Sequence, residues 1–470
     1  MTDHWHKRIF QLTFGFLLFR FLIAAILPLS PDESYYWLWA KNLDWSYFDH
    51  PPMVAWWIAI STCLFGESEL AVRIFAPFSL FILSWIAAYF ARVTANGKAA
   101  LSLVLAIQVI PLFNLGGIII TPDTPLIFFW SLALFFLYSI SGKLNHKRGI
   151  VLGVFVGLGL LSKYSMILFP LITLIYLLKT RPWKKWCLPL TTSCITAALI
   201  FLPAILWNQQ HNWASFVFQL KHGTSGTGSL AQNIVNFIVS QLGLFSLGFC
   251  YLLILWGLHT QDMLSRKQQT KLFALLPLLF FFAFAVFSHS EAGWTAIAYP
   301  ATIWGIWLMV FFTKELPRKL WNISLAIAML FSTLMYIWAL NGFGQNNILS
   351  QAEKLETETN ALLENLPEDM TRLPLVGQSY QIASMWSYYM KEEPYRISTL
   401  KSEGGRLSQF DYWKANRRLD KGFIWIVPAN KAVTPDLSRL PKMDCAYAKE
   451  LWPNRLKHEK AYDFLICKPQ

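Results

Sequence analysis

Charged residues are scarce in this chain of 470 residues, since Asp, Glu, Lys and Arg together make up 14% of it. Hydrophobic residues make up 55% and aromatic residues 16%, and the mean hydropathy is +0.40. Soluble globular domains carry about 25% charged residues, so the composition excludes an ordinary soluble protein. Apolar runs of about 20 residues recur, which is the length that a helix needs to cross a bilayer. The sequence therefore predicts a polytopic membrane protein.

The chain also lacks heptads, short-period repeats and long disordered tracts. Transporters tend to show internal repeats and to bury charged residues near the middle of the membrane, so the lack of a repeat disfavours a transporter. The first apolar span lacks a small-residue cleavage site, contains Arg20 and has full membrane length. These features predict a membrane anchor rather than a cleaved signal peptide.

Cysteine is rare, with six residues in the whole chain. Cys187, Cys194 and Cys250 fall within apolar spans, where cysteine packs as a small hydrophobic residue. Cys445 and Cys467 both follow the last span, and outside the membrane an oxidising compartment permits a disulfide. The sequence supplies no geometry for this pair, so a disulfide and two free thiols are both compatible with it.

The formal net charge of +13 would indicate a nucleic-acid partner in a soluble protein. Here the basic residues fall in alternate loops, in which the acids are Asp3, Asp262 and Glu315. The other loops hold Asp32, Glu33, Asp44, Asp49, Glu67, Glu69, Asp123 and Glu291. Because cytoplasmic loops carry the excess of Lys and Arg, the pattern predicts a cytoplasmic N-terminus, acidic loops on the periplasmic or an equivalent outer face, and no nucleic-acid partner.

About eleven spans are predicted in residues 1–340. They cover roughly residues 9–28, 71–92, 99–114, 124–140, 149–162, 164–178, 187–206, 232–257, 272–288, 295–312 and 321–340. Beyond residue 340 the sequence becomes polar. Helical periodicity over residues 348–365 and 381–390 alternates with short β-like runs at 373–376, 423–427 and 462–467, which predicts a small soluble α/β domain over residues 341–470 on the periplasmic face.

Residues with the chemistry of a catalytic site gather at the predicted outer ends of the spans. They are Asp32, Glu33, Asp49, His50, Asp123, Lys163, His289 and Glu291. Charge beside a membrane is costly and is often functional. Structural alternatives exist for each group: Asp32 or Asp123 could cap a helix, His50 could bond a backbone carbonyl, and Glu291 could be a solvated turn residue. Their common side favours one shared cavity.

A helix after Asp32 would carry Tyr35, Tyr36, Trp37 and Trp39 at the membrane interface, where aromatic rings are favoured.

Two further features of the sequence, Lys163 and the segment 207–230, leave alternatives open. Lys163 could extend its side chain toward water or contact a phosphate as a cation. The outer segment 207–230 could be a connector with one interfacial helix, or a mobile flap over a site.

Four motifs resemble those of the GT-C glycosyltransferases, in particular the bacterial relatives of the protein O-mannosyltransferases that include the aminoarabinose transferase of lipid A. They are Asp32-Glu33-Ser34-Tyr35-Tyr36, Tyr47-Phe48-Asp49-His50-Pro51-Pro52, Thr121-Pro122-Asp123-Thr124-Pro125 and His289-Ser290-Glu291-Ala292-Gly293-Trp294. The resemblance covers about residues 9–340, with a weaker echo in Ser408-Gln409-Phe410-Asp411-Tyr412-Trp413. It implies a GT-C fold with about eleven transmembrane helices.

The resemblance also implies roles for these residues. Asp32 matches the acid of the first outer loop and would be the general base, and Asp123 matches a second catalytic acid of the family. Asp49 would orient substrate or hold a divalent ion, and His50 stands where the aminoarabinose transferases have lysine. The remaining residues expected to bind substrate are Glu33, Tyr35, Lys163, His289 and Glu291. Asp49, His50, His289 and Glu291 could ligate zinc, although their spacing does not establish a metal.

The implied activity is transfer of a sugar, with inversion, from a polyprenyl-phosphate donor such as undecaprenyl phosphate. The acceptor would be lipid A, lipopolysaccharide or another envelope glycan at the periplasmic face of the bacterial inner membrane, in contact with membrane lipid. Protein O-glycosylation with the same donor, and transport of a polyprenyl-linked sugar, are the alternatives. Asp32 and Asp123 have no purpose in a purely structural scaffold.

Overall fold

A computed structural model describes most of the first 340 residues and parts of the remainder. The described residues are 3–140, 144–180, 183–224, 229–258, 266–288, 291–313 and 316–340, followed by 357–358, 360–361, 364–366, 370, 373–389, 397–399, 406–413, 419–428, 442–447 and 462–470. The chain forms two compact units. The helical unit comprises Met1–Ala25 and Asp44–Ile337, and the C-terminal unit comprises Ile26–Leu43 and Trp338–Gln470.

The helical unit is built from sixteen described α-helices, the first and last of which run a few residues past its boundaries. They are α1 (Asp3–Ile26), α3 (Met53–Phe65), α4 (Glu69–Arg73), α5 (Phe75–Thr94), α6 (Gly97–Val109), α7 (Pro111–Gly116), α8 (Asp123–Ile140), α9 (His146–Leu160), α10 (Leu168–Thr180), α11 (Trp183–Gln210), α12 (Ala214–Thr224), α13 (Leu230–Phe245), α14 (Leu247–Leu258), α15 (Arg266–Phe287), α16 (Tyr299–Trp307) and α17 (Arg318–Leu340). Short 3₁₀ segments, Tyr164–Ile167 and Ala292–Ala298, precede α10 and α16.

All eleven predicted spans coincide with helices, and the protein is a multi-span membrane protein. Within the described residues, seven helices are long and apolar enough to cross a membrane, or eight if the bent pair α13–α14 counts as one. The seven are His4–Ile26, Glu69–Thr94, Asp123–Ile140, Trp186–Gln210, Gln268–Phe287, Ala292–Phe312 and Arg318–Leu340. The count of about eleven crossings is therefore not confirmed.

Two of the predicted spans are interrupted, each by an identifiable residue. The span expected over 232–257 bends by 106° between α13 and α14, where Ser246 takes a left-handed backbone with φ of 67°. The span expected over 99–114 breaks between α6 and α7, where Pro111 supplies no N–H to continue the helical hydrogen bonds. Each break shortens an apolar run that the sequence presents as continuous.

Close packing of α9 on α11 depends on three glycines one helical turn apart. A Cβ at Gly149 would lie 2.4 Å from the Pro189 carbonyl oxygen, and a Cβ at Gly153 would lie 2.4 Å from that of Ser193. At Gly157 the nearest atom, in the Ile200 side chain, would be 2.8 Å away. Small residues at this spacing let two helix backbones approach in a membrane. The contact fixes the end of α9, three residues before Lys163.

The charge within the first span is accommodated by polar groups of other helices. Arg20 is 2% exposed and donates to the Gln108 side chain, to the Gln108 carbonyl at 3.1 Å and to Asn114 Oδ1 at 3.4 Å. The Tyr336 hydroxyl donates to the same Asn114 oxygen at 2.6 Å. These bonds join α1, α6, α7 and α17, because a buried guanidinium needs acceptors.

The C-terminal unit contains α2 (Pro31–Lys41), α18 (Tyr380–Tyr389) and a five-stranded sheet. The strands are β1 (Leu375–Gly377), β2 (Ile397–Thr399), β3 (Phe423–Pro428), β4 (Met443–Tyr447) and β5 (Tyr462–Pro469), in the order β2-β1-β3-β5-β4. β1 pairs in parallel with β2 and β3, whereas β5 pairs antiparallel with β3 and β4. The predicted strands at 373–376, 423–427 and 462–467 and the helix at 381–390 correspond to β1, β3, β5 and α18.

Both faces of this sheet are buried. Ile382, Met385 and Trp386 of α18 pack on one face with Leu375, Ile424, Ile426 and Phe464. Cys445 and Cys467 lie directly opposite each other on β4 and β5 and form a disulfide, which decides the alternative left open by the sequence. Most of the predicted helix over 348–365 lies outside the described residues.

Candidate active site

The segment that begins α2 places Asp32 in the first turn of a capped helix. Ser30 is the N-cap: its hydroxyl accepts a hydrogen bond from the Glu33 N–H at 3.2 Å, and Glu33 Oε2 accepts one from the Ser30 N–H at 2.9 Å. This reciprocal pair is a capping box. The suggestion that Asp32 caps a helix beginning at Glu33 is therefore wrong, since α2 begins at Pro31 and Asp32 follows it.

Glu33 and Tyr35, two residues expected to bind substrate, are both buried. Glu33 is 0% and Tyr35 1% exposed. The Tyr35 hydroxyl accepts a hydrogen bond from the Gln409 N–H, and its ring is stacked with Phe410 at 6.1 Å between centroids. The weak motif echo over residues 408–413 thus contacts Tyr35. The predicted substrate contacts of Glu33 and Tyr35 remain untested.

Asp32, in contrast, is exposed. The Tyr380 hydroxyl, at the start of α18, donates to Asp32 Oδ1 at 3.1 Å. The Tyr380 ring lies 4.4 Å from the Tyr35 ring, centroid to centroid, and the Arg406 guanidinium lies over its face at 4.8 Å. All of these residues belong to the C-terminal unit.

In the helical unit, the segment from Asp44 to Pro52 is held by its own hydrogen bonds. Asp44 Oδ2 accepts from the Trp207 indole N–H at 2.8 Å, and the Asp44 N–H donates to the Tyr47 hydroxyl at 3.0 Å. The Tyr47 N–H donates to the His50 carbonyl at 3.0 Å. Burial raises the pKa of Tyr47. Asp49 follows in this rigid segment and is 5% exposed.

Asp123 and Lys163 form a close ion pair at the ends of two helices. Asp123 is the first residue of α8, and Lys163 follows α9. Lys163 Nζ lies 2.9 Å from Asp123 Oδ1 and 2.8 Å from Oδ2. The Lys163 side chain is 11% exposed and the Asp123 side chain is 24% exposed. An ammonium has three N–H donors, so this carboxylate engages two of them. Lys163 thus makes a salt bridge, and the two alternatives given for it, extension toward water and contact with a phosphate, are untested.

Glu291 is bound by two side chains. Its Oε1 lies 2.9 Å from His222 Nε2, and its Oε2 accepts from the Trp294 indole at 3.1 Å. The His222 hydrogen bond lowers the pKa of Glu291 to about 2, against the opposing effect of burial, and neighbouring Lys163 and His50 lower it further. The Glu291 side chain is half exposed, at 52%, yet it is held by two other side chains.

The Asp123 and Glu291 pairs are near each other. Gly293 is close enough to Asp123 that a Cβ on it would lie 3.6 Å from Asp123 Oδ2. The electrostatic effect of Lys163 and His50 on Glu291 agrees with this proximity. The helical unit therefore brings His50, Asp123, Lys163 and Glu291 near one another; their predicted roles in substrate binding and catalysis are untested. Asp32, Glu33 and Tyr35 belong to the C-terminal unit, and His289 lies outside the described residues.

Helix α12 supplies residues that sequence reasoning missed. Gln219 donates from its amide to the Asp49 carbonyl, and Phe218 packs on Phe48 with centroids 4.6 Å apart. His222, one turn later, reaches Glu291. The segment 207–230 thus contains the helix that one alternative predicted. The spacing of Phe218 and His222, four residues apart on one helical face, was a signal that could have identified them.

Among the residues that the structure describes, no three His, Cys, Asp or Glu side chains are grouped so that they could hold a metal ion. The four zinc candidates are not tested as a set, because His289 is not described. The helical unit does pair a carboxylate with an ammonium, in Asp123 and Lys163, and a carboxylate with an imidazole, in Glu291 and His222.

The fold and the motif set are similar to those of the GT-C glycosyltransferase superfamily. Within it, residues 49–207 match the family described as dolichyl-phosphate-mannose-protein mannosyltransferase. ArnT from Cupriavidus metallidurans, solved with bound undecaprenyl phosphate, shares the fold with a TM-score of 0.68 and 16% identity over 99% of this chain and 98% of that one. The archaeal oligosaccharyltransferase AglB from Archaeoglobus fulgidus gives a TM-score of 0.57 at 12% identity, over 88% and 70%.

Two curated relatives match this chain over a smaller share of their length. Lipid A galacturonosyltransferase RgtD of Rhizobium johnstonii is 24% identical over 318 residues, which are 63% of this chain and 64% of RgtD. The undecaprenyl phosphate-alpha-4-amino-4-deoxy-L-arabinose arabinosyl transferase of Serratia proteamaculans is 24% identical over 296 residues, 56% of this chain and 53% of that protein. The chain thus matches less than two thirds of the length of either relative.

Proposed function

We propose that this protein is an inverting glycosyltransferase that moves a sugar from a polyprenyl-phosphate donor to lipid A or another lipopolysaccharide acceptor. One curated relative is named for lipid A and the other for an undecaprenyl-phosphate-linked sugar, and the ArnT neighbour was solved with undecaprenyl phosphate. One observation carries the proposal: Asp32 is an exposed acid that α2 does not use as its N-cap, and Tyr380 donates a hydrogen bond to its carboxylate.

In this proposal Asp32 is the general base. Its carboxylate removes the proton from the acceptor hydroxyl or phosphate while the acceptor oxygen attacks the anomeric carbon. The carbon–oxygen bond to the polyprenyl phosphate breaks in the same step, so one in-line displacement inverts the configuration. The polyprenyl phosphate leaves with the negative charge.

Lys163 and His50 of the helical unit are proposed to contact a phosphate, as the sequence resemblance implies for this part of the chain. Lys163 has a third N–H donor beyond the two that Asp123 engages, and His50 is near enough to act on Glu291. Asp123 holds the ammonium in place, and a fixed cation stabilises developing charge without reorganisation. Asp49 and Glu291 are proposed to orient the sugar.

The proposed site faces the periplasm of a bacterial inner membrane, with the N-terminus in the cytoplasm. The distribution of basic and acidic loops supports this orientation. The disulfide between Cys445 and Cys467 supports an oxidising compartment around the C-terminal unit.

Mass spectrometry of lipid A, core glycans, polyprenyl lipids and envelope proteins tests the proposal, in cells with the gene, without it, or with Asp32→Asn. We expect loss of one sugar-sized mass from lipid A or core and accumulation of the polyprenyl-phosphate donor, in both the deletion and Asp32→Asn cells. Glu69→Gln, which neutralises an acid in the first turn of α4, is the control and should match the wild type.

Protein O-glycosylation is the second candidate, and the match of residues 49–207 to a protein mannosyltransferase family favours it. It predicts that the missing sugar belongs to a protein while lipid A is unchanged. An unchanged set of lipids and proteins in the deletion strain would contradict both candidates and favour transport.

A further inference from the structure

We propose that Tyr380, on the C-terminal unit, is a positioning residue for Asp32 and sets the orientation and basicity of its carboxylate. The inference rests on the proposed role of Asp32 as the base. Its observation is the hydrogen bond of 3.1 Å from the Tyr380 hydroxyl to Asp32 Oδ1. The two residues are 348 positions apart in sequence, so this bond joins the N-terminal motif to the C-terminal part of the chain.

The main chain of Asp32 is already fixed by other residues. The capping box of Ser30 and Glu33 sets the first turn of α2, and the Leu29 N–H donates to the Tyr389 hydroxyl at 2.6 Å. Fixing the main chain does not by itself fix an Asp side chain, which has the torsions χ1 and χ2. A hydrogen bond to one carboxylate oxygen restricts that rotation, and a base restrained in the productive orientation is more effective.

Tyr380 is itself held firmly enough to act as a restraint. Its ring contacts that of Tyr35, which is 1% exposed, and the Arg406 guanidinium covers one face. Cations attract the electron-rich face of a tyrosine ring. Tyr380 is also the first residue of α18, which packs on α2 through Trp37 and Tyr388, with ring centroids 5.1 Å apart.

The bond has two opposing effects on catalysis. A donor to a carboxylate stabilises its charged form, so it makes Asp32 a weaker base but keeps it ionised at lower pH. Restraint of the side chain favours the reaction, and misplacement of a catalytic group by about 1 Å can cost about 100-fold in rate. We expect the positional effect to dominate near neutral pH.

Tyr380→Phe removes the hydroxyl and keeps the ring, so its packing on Tyr35 and Arg406 is retained. With the polyprenyl lipid that accumulates in the deletion strain as donor, and lipid A from the same cells as acceptor, kcat should fall by about 10-fold to 100-fold. KM should stay within about twofold, because Tyr380 contacts the base rather than substrate. The matched control is Tyr388→Phe on the same helix, with kcat expected near wild type.

The pH dependence of kcat separates positioning from a purely structural role. Besides Asp32, the titratable and charged groups on α2, on α18 and in the segment 406–413 are Glu33, Tyr35, Tyr36, Lys41, Tyr380, Tyr388, Tyr389, Arg406, Asp411 and Tyr412. Loss of the Tyr380 donor makes the Asp32 carboxylate easier to protonate, so the acid limb of the profile should move to higher pH. A structural defect would lower kcat equally at every pH. Thermal unfolding and disulfide formation verify that the variant is folded.

Three results would overturn the inference. Wild-type kcat in folded Tyr380→Phe would show that the bond does not matter, and an equal loss at every pH would show a structural role. In either case a dead Asp32→Asn would leave the proposed function standing. Full activity of Asp32→Asn would instead refute the base itself, and the positioning role with it.

Discussion

At the level of single residues, Asp32 and Asp123 differ in what surrounds them. Asp32 is exposed and accepts from a neutral hydroxyl, whereas Asp123 is engaged by a cation at both oxygens. This contrast supports Asp32 as the base and Asp123 as the residue that orients Lys163.

The Asp123–Lys163 pair predicts non-additive effects of substitution. Asp123→Asn or Lys163→Gln alone leaves one charge without its partner and should lower the free energy of unfolding by about 2 kcal/mol, less than for a fully buried pair. The double variant should recover at least half of that loss while remaining inactive. Thermal unfolding and transfer assays measure both. Lys147→Gln, an exposed lysine of α9, is the control, and strictly additive losses would contradict the prediction.

Glu33 gives a second prediction at this scale. If its carboxylate serves the capping box, Glu33→Gln should keep stability within about 0.5 kcal/mol and activity within about threefold, because glutamine also completes such a box. Ser30→Ala should cost about 1 kcal/mol. A folded Glu33→Gln protein without activity would mean that the Glu33 carboxylate contacts substrate.

The site residues that could be predicted from the sequence are acidic, basic or histidine side chains that stand out in largely apolar surroundings. An acid or histidine at the end of an apolar run is visible without a structure, as with Asp32, Asp123 and Glu291. The side chains that hydrogen-bond to these residues could not be identified from the sequence. Tyr380 and His222 are distant in sequence from Asp32 and Glu291, and only folding brings each pair within hydrogen-bond distance.

At the level of elements, α12 is held to the site by a contact that depends on pH. The pKa of Glu291 is lowered to about 2, first by the His222 hydrogen bond. The stabilisation that this shift represents is complete above the ordinary glutamate pKa of 4.5 and is lost as the pH falls toward 2. Between those values, α12 should become less firmly held.

Thermal unfolding between pH 6 and pH 3 tests this effect. The unfolding temperature of the wild type should fall further over that interval than that of Glu291→Gln, because the variant has no carboxylate at this position to protonate. Glu69→Gln, with an acid removed elsewhere in the helical unit, should follow the wild type. Parallel curves for the wild type and Glu291→Gln would contradict the role of the His222 contact.

Element positions were largely predictable from sequence, whereas breaks within elements were not. Hydrophobic runs marked the helices of all eleven predicted spans, and β-rich runs marked β1, β3 and β5. The sequence around Ser246 remains apolar through the 106° bend, so hydropathy shows no interruption there. β2 (Ile-Ser-Thr) and β4 (Met-Asp-Cys-Ala-Tyr) were missed because neither forms a continuous apolar run.

At the level of the whole molecule, the chain enters the C-terminal unit twice, at residues 26–43 and again from residue 338. The candidate base thus belongs to the same compact unit as the sheet, and the Asp123–Lys163 pair belongs to the helical unit. The sequence-based division into 1–340 and 341–470 assigned residues 26–43 to the transmembrane part. Hydropathy cannot reveal such a division, because α2 is short and its partner α18 follows some 350 residues later.

The disulfide tests the orientation of the whole chain. In a variant with Cys63, Cys187, Cys194 and Cys250 replaced by alanine, Cys445 and Cys467 should resist a membrane-impermeant maleimide on spheroplasts until mild reduction exposes them. Replacing both should cost about 3 kcal/mol for a loop of this length. Labelling that requires permeabilised membranes, even after reduction, would place the C-terminal unit in the cytoplasm and contradict the orientation.

The most direct test of the central claim is sugar transfer by the purified protein in liposomes, with the polyprenyl lipid from the deletion strain as donor and lipid A as acceptor. The account predicts transfer by the wild type, with the product of inverted configuration, and at least 1,000-fold less by folded Asp32→Asn, by analogy with the roughly 10²–10⁴-fold contribution of a general base plus loss of its charge. Transfer by Asp32→Asn at the wild-type rate would contradict it.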